Sequence, residues 1–264
     1  MSFIARCRVG ILVLGFLISC MLGSITPATA ASGSAILPVP LTVTTLDNGL
    51  RVIVAPCDFP GVVAVATVFL AGSRDEIEPG TSGFAHFVEH LMLRGTTRFP
   101  KAERERILTL LGAETNARTQ EDCTIFHVEG SATALDTILD IEADRVRNAS
   151  LSEEVLRTEA KVILGEFLKD ATAPETALEE KLLGTAFSTH PYRHPVMGLQ
   201  TDIRAMPDRI EAVRRFVDRG YGPGNCILVV VGDVAQRRSL PLCHAPQHAA
   251  GDGTGHCQAR GHRR

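Results

Sequence analysis

The run His86-Phe87-Val88-Glu89-His90 constrains this chain more than any other feature. It sets two imidazoles and a carboxylate within five residues of a segment that reads as a helix. Positions i and i+4 lie one turn apart on one helix face, with i+3 beside them. His86 and His90 are therefore placed to grip one metal ion while Glu89 faces the same spot. Two neutral imidazoles at this spacing suit zinc, and the neighbouring carboxylate is placed to work on a metal-activated water.

The chain has 264 residues, of which 45% are apolar, enough for one substantial core or two small ones. A net charge of -3 argues against a nucleic-acid-binding body. Residues 1–30 read as a secretory signal peptide, with Arg6 and Arg8 before an apolar run and Ala28-Thr29-Ala30 as the cleavage site. Leu17-Ile18-Ser19-Cys20 offers a rival export route, a lipidated Cys20 that would bring the chain to a membrane. Either route implies an exported, periplasmic or secreted protein. Cys57, Cys123 and Cys226 show no disulfide spacing and are expected to be buried, inert thiols.

After a linker at 31–40, residues 41–234 alternate strands and helices. Strands at 41–46 and 51–55 flank Asp47-Asn48-Gly49, a hairpin signal because Asn-Gly tolerates positive φ. The apolar run 62–71 suits the centre of a sheet, and further strands are expected at 123–129 and 226–231. Helices are expected at 81–93, stopped by Gly95, and at 101–111, 132–147, 175–187 and 208–219. Another follows Ser152 as N-cap and runs to Lys169, with Glu153 and Glu154 in its first turn and Leu151 and Leu156 spaced as a hydrophobic staple. The fold class expected is α+β: a mixed, largely antiparallel sheet with helices packed on one face.

Zinc needs a third protein ligand and an open position. The helix after Ser152 offers Glu159 and Glu166, two turns apart on one face and not explained by its first turn. The order His-x-x-Glu-His is that of the inverzincins. Around it, residues 41–234 resemble the pitrilysin/insulinase family of zinc metallopeptidases, which includes the mitochondrial processing peptidases. The motifs are Leu46-Asp47-Asn48-Gly49-Leu50-Arg51-Val52, Gly72-Ser73-Arg74-Asp75-Glu76 and Gly83-Phe84-Ala85-His86-Phe87-Val88-Glu89-His90-Leu91-Met92. They continue with Gly112, Asn116-Ala117, Thr119, Asp122 and Phe126, then His190-Pro191-Tyr192, and end at Gly232-Asp233-Val234.

The resemblance implies a half-domain of the inverzincin metallohydrolase kind, holding one zinc ion. His86, His90 and Glu166 would be the ligands. Glu89 and Glu159 would complete the catalytic machinery, Glu89 as general base and Glu159 as a carboxylate that orients the site. Asn116, Ala117 and Thr119 would belong to an edge strand that binds an extended substrate by backbone pairing. His127, His190 and His194 are expected to be structural. The implied activity is zinc-dependent endopeptidase hydrolysis of peptides or unfolded proteins.

Members of the family pair two similar halves, the second adding an arginine and a tyrosine at the substrate carbonyl. This sequence matches the N-terminal half alone, so a second peptidase half is the expected partner. The alternative is a catalytically silent binding subunit, or a truncated, inactive fragment. Gly165, inside the helix of the third ligand, costs about 1 kcal/mol relative to Ala. Residues 235–264 turn basic and lose apolar periodicity, as out-of-frame translation would produce; Cys243, His244, His256 and Cys257 within them are read as a disordered tail rather than a metal cluster.

Overall fold

Residues 39–234 are described by the structure, a computed structural model. The leader, Cys20 and the tail with Cys243, His244, His256 and Cys257 lie outside the described residues. The hairpin opens the fold: β1 (Thr42–Thr45) and β2 (Arg51–Pro56) pair antiparallel, Thr45 opposite Arg51. Its turn is closed by the Leu46 N–H donating to the Leu50 carbonyl at 2.9 Å, with Gly49 at φ 85°, a left-handed conformation that a Cβ would strain.

With β3 (Val62–Phe69), β4 (Glu114–Thr119), β5 (Thr124–Ser131) and β6 (Cys226–Gly232), the hairpin forms a six-stranded sheet ordered β1-β2-β6-β3-β5-β4. The β2–β6 pairing is parallel and the others are antiparallel. The sheet is thus mixed and largely antiparallel, as expected. Strand β6, last in the described chain, enters the middle, where Val230 lies opposite both Val54 and Val65.

Burial alternates along β3, β5 and β6, because successive side chains leave a strand on opposite faces. The buried face, with Val63, Val65, Phe69, Phe126, Val128 and Val230, carries the helices. These are α1 (Phe84–Leu93), α2 (Lys101–Leu110), α3 (Leu135–Asn148), α4 (Glu153–Asp170), α5 (Pro174–Ala186), α6 (Gln200–Ala205) and α7 (Ile210–Gly220). Leu135, Ile138 and Leu139 of α3 meet Val63, Val65 and Val128. Ile163 of α4 and Phe216 of α7 join α1 over Phe69 and Phe126. Each such side chain contributes roughly 1.5–3 kcal/mol when withdrawn from water.

Two expectations need correction. Helix α1 begins at Phe84 rather than at residue 81, because Gly83 takes φ 88° and a Cβ there would lie 2.7 Å from the Met197 carbonyl oxygen. Of the three thiols only Cys226 is buried; Cys57 and Cys123 are partly exposed. Helix α6 was not anticipated from the sequence. Gly165 sits inside a continuous α4, exposed, with open space where a side chain would be.

Candidate metal centre

Most of α1 is apolar, with Phe84, Ala85, Phe87, Val88, Leu91 and Met92 all buried. What remains is a narrow polar stripe along the face toward α4. His86 and His90 share it, their rings 4.8 Å apart in an edge-on arrangement. Helix α4 is started by the Ser152 hydroxyl, which accepts the Val155 N–H at 3.3 Å. Burying Leu156, Ile163 and Phe167 of α4 turns Glu159 and Glu166 toward the histidines.

His86, His90 and Glu166 each offer one potential ligand atom, and these atoms all lie within 4.8 Å of one another. His90 Nε2 is 3.3 Å from Glu166 Oε2. A tetrahedral zinc ion with bonds of about 2.0–2.1 Å holds its ligands roughly 3.3 Å apart. Among the described residues His86 Nδ1 is buried without a hydrogen-bond partner, a costly arrangement for a polar atom unless something binds the ring. Two imidazoles and one carboxylate form a zinc donor set that leaves a coordination position open. Burial, aided by repulsion from His90, lowers the His86 pKa to about 4. The ring is therefore neutral at pH 7, as a ligand must be.

Behind these three side chains, His90 Nδ1 meets Glu159 Oε1 at 3.0 Å. This contact makes Nδ1 the protonated nitrogen and leaves Nε2 directed at Glu166. The second oxygen of Glu159 accepts the Arg94 Nε–H. Glu159 is 2% exposed. Burial pushes its pKa up, but the hydrogen bonds from His90 and Arg94 outweigh it and hold the carboxyl below its usual range. Arg94 escaped sequence reading because a basic residue at a helix end is ordinarily explained by the helix dipole.

Glu89 is buried beside His90 on the same helix and accepts the Thr119 hydroxyl at 2.6 Å. Burial raises its pKa against the opposing Thr119 hydrogen bond, and it feels the charges of both His90 and Glu166. Asn116, Ala117 and Thr119 lie on β4, the terminal strand of the sheet, paired on one side only among the described residues. The Asn116 side-chain oxygen accepts the Ala117 N–H at 2.9 Å, so one amide of this strand is satisfied by a side chain instead of a neighbouring strand. Thr119 sends its hydroxyl inward to Glu89, a link that spacing alone could not reveal. His127 lies half-buried on β5, His190 caps a short 3-10 turn, and His194 is buried near Glu76.

A sequence model of the insulinase family (peptidase family M16) matches residues 52–200, a stretch that includes both helices of this centre. The chain belongs to that family. Zinc protease PqqE of Helicobacter pylori is 31% identical over 200 residues, covering 75% of this chain and 44% of its own length. The beta subunit of the mitochondrial-processing peptidase of Neurospora crassa is 30% identical over 215 residues, covering 81% and 44%. The crystal structure of a protease from Helicobacter pylori matches with a TM-score of 0.74 at 30% identity, over 78% of this chain and 49% of that one. This insulinase-family chain thus spans about half the length of the relatives it matches, or slightly less.

Proposed function

We propose that the chain is the metal-binding half of an exported zinc metalloendopeptidase that hydrolyses peptides or unfolded proteins. The convergence of His86, His90 and Glu166 within 4.8 Å, two helices apart, carries this reading. One zinc ion bound there supplies a Lewis acid that acidifies water and polarises a peptide carbonyl. Glu89 is the base: its burial-raised carboxylate takes a proton from the attacking water and returns it to the leaving amine. Thr119 fixes that carboxylate, and the Arg94–Glu159 pair fixes the His90 ring. An extended peptide pairs with the free edge of β4, with Asn116 releasing the Ala117 amide to it. Backbone pairing makes little demand on sequence but requires a free strand, which favours unfolded substrates.

The partner is a second peptidase half. Among the described residues no helix lies on the outer face of the sheet, where Val68, Ile125, Ile227, Val229 and Val231 stay half-exposed. Apolar surface of this kind marks an association site. The leader at residues 1–30 directs the chain out of the cytoplasm, to a membrane surface if Cys20 is lipidated.

Zinc stoichiometry is the first test. The wild-type chain is expected to bind one ion, and the His90→Ala chain to lose it while keeping its circular dichroism. A folded wild-type chain that takes up no zinc would overturn the reading.

A further inference from the structure

Helix α1 has no cap of its own. Gly83 occupies the N-cap position with φ 88° and offers no side chain. The first turn of a helix leaves amides without intrahelical partners, and His86 belongs to that turn. Two amides at this start are taken by one carboxylate: Glu76 Oε2 accepts the Gly83 N–H at 2.8 Å and Oε1 accepts the Ala85 N–H at 2.7 Å, while the Phe84 N–H donates to the Thr81 carbonyl at 3.1 Å. Glu76 is 5% exposed, and burial pushes its pKa well up against these two hydrogen bonds. Next to it lies the buried His194, with Nε2 3.7 Å from Glu76 Oε2.

Glu76 is itself anchored. It follows the 3-10 turn Ser73–Asp75, where Ser73 N–H donates to the Gln120 carbonyl at 3.2 Å and Arg74 N–H to the Glu121 carbonyl at 2.9 Å. Gln120 and Glu121 lie in the turn leaving β4. One carboxylate therefore ties the start of α1 to the strand that carries Thr119. The two histidines have separate supports: Glu159 holds the His90 ring directly, and Glu76 holds the backbone that precedes His86.

We infer that Glu76 is a positioning residue for the metal centre, fixing through the Gly83 and Ala85 amides where His86 stands relative to His90 and Glu166. This rests on His86 being a zinc ligand. Small displacements of a ligand degrade a metal site, and residues behind the ligands influence metal affinity by about 10–100-fold. Full-length Glu76→Ala and Glu76→Gln chains would be titrated with zinc against a competing chelator, alongside metal-free melting. Glu76→Ala is expected to keep native circular dichroism and bind zinc about tenfold more weakly. Glu76→Gln, which keeps one acceptor oxygen, is expected to fall between it and wild type.

Wild-type zinc affinity in a folded Glu76→Ala chain, with only the melting temperature lowered, would reduce Glu76 to a structural role and overturn the inference. If Glu76→Ala does not fold, Glu76→Gln is judged by the same criterion. Hydrogen exchange on the metal-free wild type gives an independent reading. Slow exchange of the Gly83 and Ala85 amides is expected, and rapid exchange of both overturns the inference. A wild-type chain without zinc affinity defeats the proposed function instead, and the exchange rates still decide whether Glu76 holds the turn.

Discussion

Helices α1 and α5 are built to opposite purposes. Seven of the ten residues of α1 are buried, whereas none of the thirteen in α5 is. The sequence of α1 is apolar nearly all round, so the sheet and its helical neighbours enclose it, and its three polar side chains must find partners in the remaining gap. Helix α5 instead leaves Leu178 and Leu182, one turn apart, 69% and 62% exposed. The sheet repeats the contrast: Val63 and Val65 are sealed under helices while Val229 and Val231 stay half-exposed. A metal site needs ligands held within fractions of an ångström, and only a close-packed element supplies that. Surface left bare by the described chain is the part suited to a partner.

The contrast can be broken at several points. The largest effect is expected from Glu89→Gln, which should retain zinc yet slow cleavage of a quenched fluorescent peptide by about 10²–10⁴-fold; undiminished turnover with zinc bound would remove Glu89 from the base role. Phe87→Ala, on the enclosed side of α1, should lower unfolding free energy by about 3–5 kcal/mol in urea denaturation. A loss below about 1 kcal/mol would mean that α1 is not tightly packed.

Acid should act on the same helix. The folded pKa of His86 is depressed from 6.5 to about 4. Between those values the unfolded chain takes up a proton that the folded chain refuses. This contribution is therefore fully present above pH 6.5 and lost as pH falls toward 4. Metal-free melting temperatures should drop across that window, and His86→Gln should flatten the drop; equal slopes in the two chains would count against a buried neutral His86. The smallest effect belongs to α5: Leu178→Ser should change stability by less than about 0.5 kcal/mol while reducing self-association in sedimentation velocity. A large destabilisation would show that α5 packs within this chain after all.

Much of this was legible because it is local. Asn48-Gly49 demanded a tight turn, Ser152 followed by two glutamates demanded a helix start, and both are present. The start of α1 was misplaced because Thr81 and Ser82 look like helix-initiating residues. Ser82 instead donates to Asp202 at 2.6 Å, from a segment far along the chain. Glu76 stood in a family motif but with no role attached, and Arg94 carried no signal, since acids before a helix and a base at its end have ordinary explanations. Glu166 was separable from Glu159 only through family resemblance, for both lie on one face of α4.

By itself, the sequence determined that His86, Glu89 and His90 share one helix face, because a 3.6-residue period leaves no alternative once the segment is helical. It likewise determined the strand periodicity and the hairpin that opens the sheet. Only the tertiary structure decided that Glu166 comes within 4.8 Å of His86 and His90, that Glu159 and Arg94 support His90, and that Thr119 reaches Glu89 from the sheet edge. Those contacts join residues dozens of positions apart. Their geometry is set by how apolar faces of α1, α4 and β4 pack together, which no local spacing encodes.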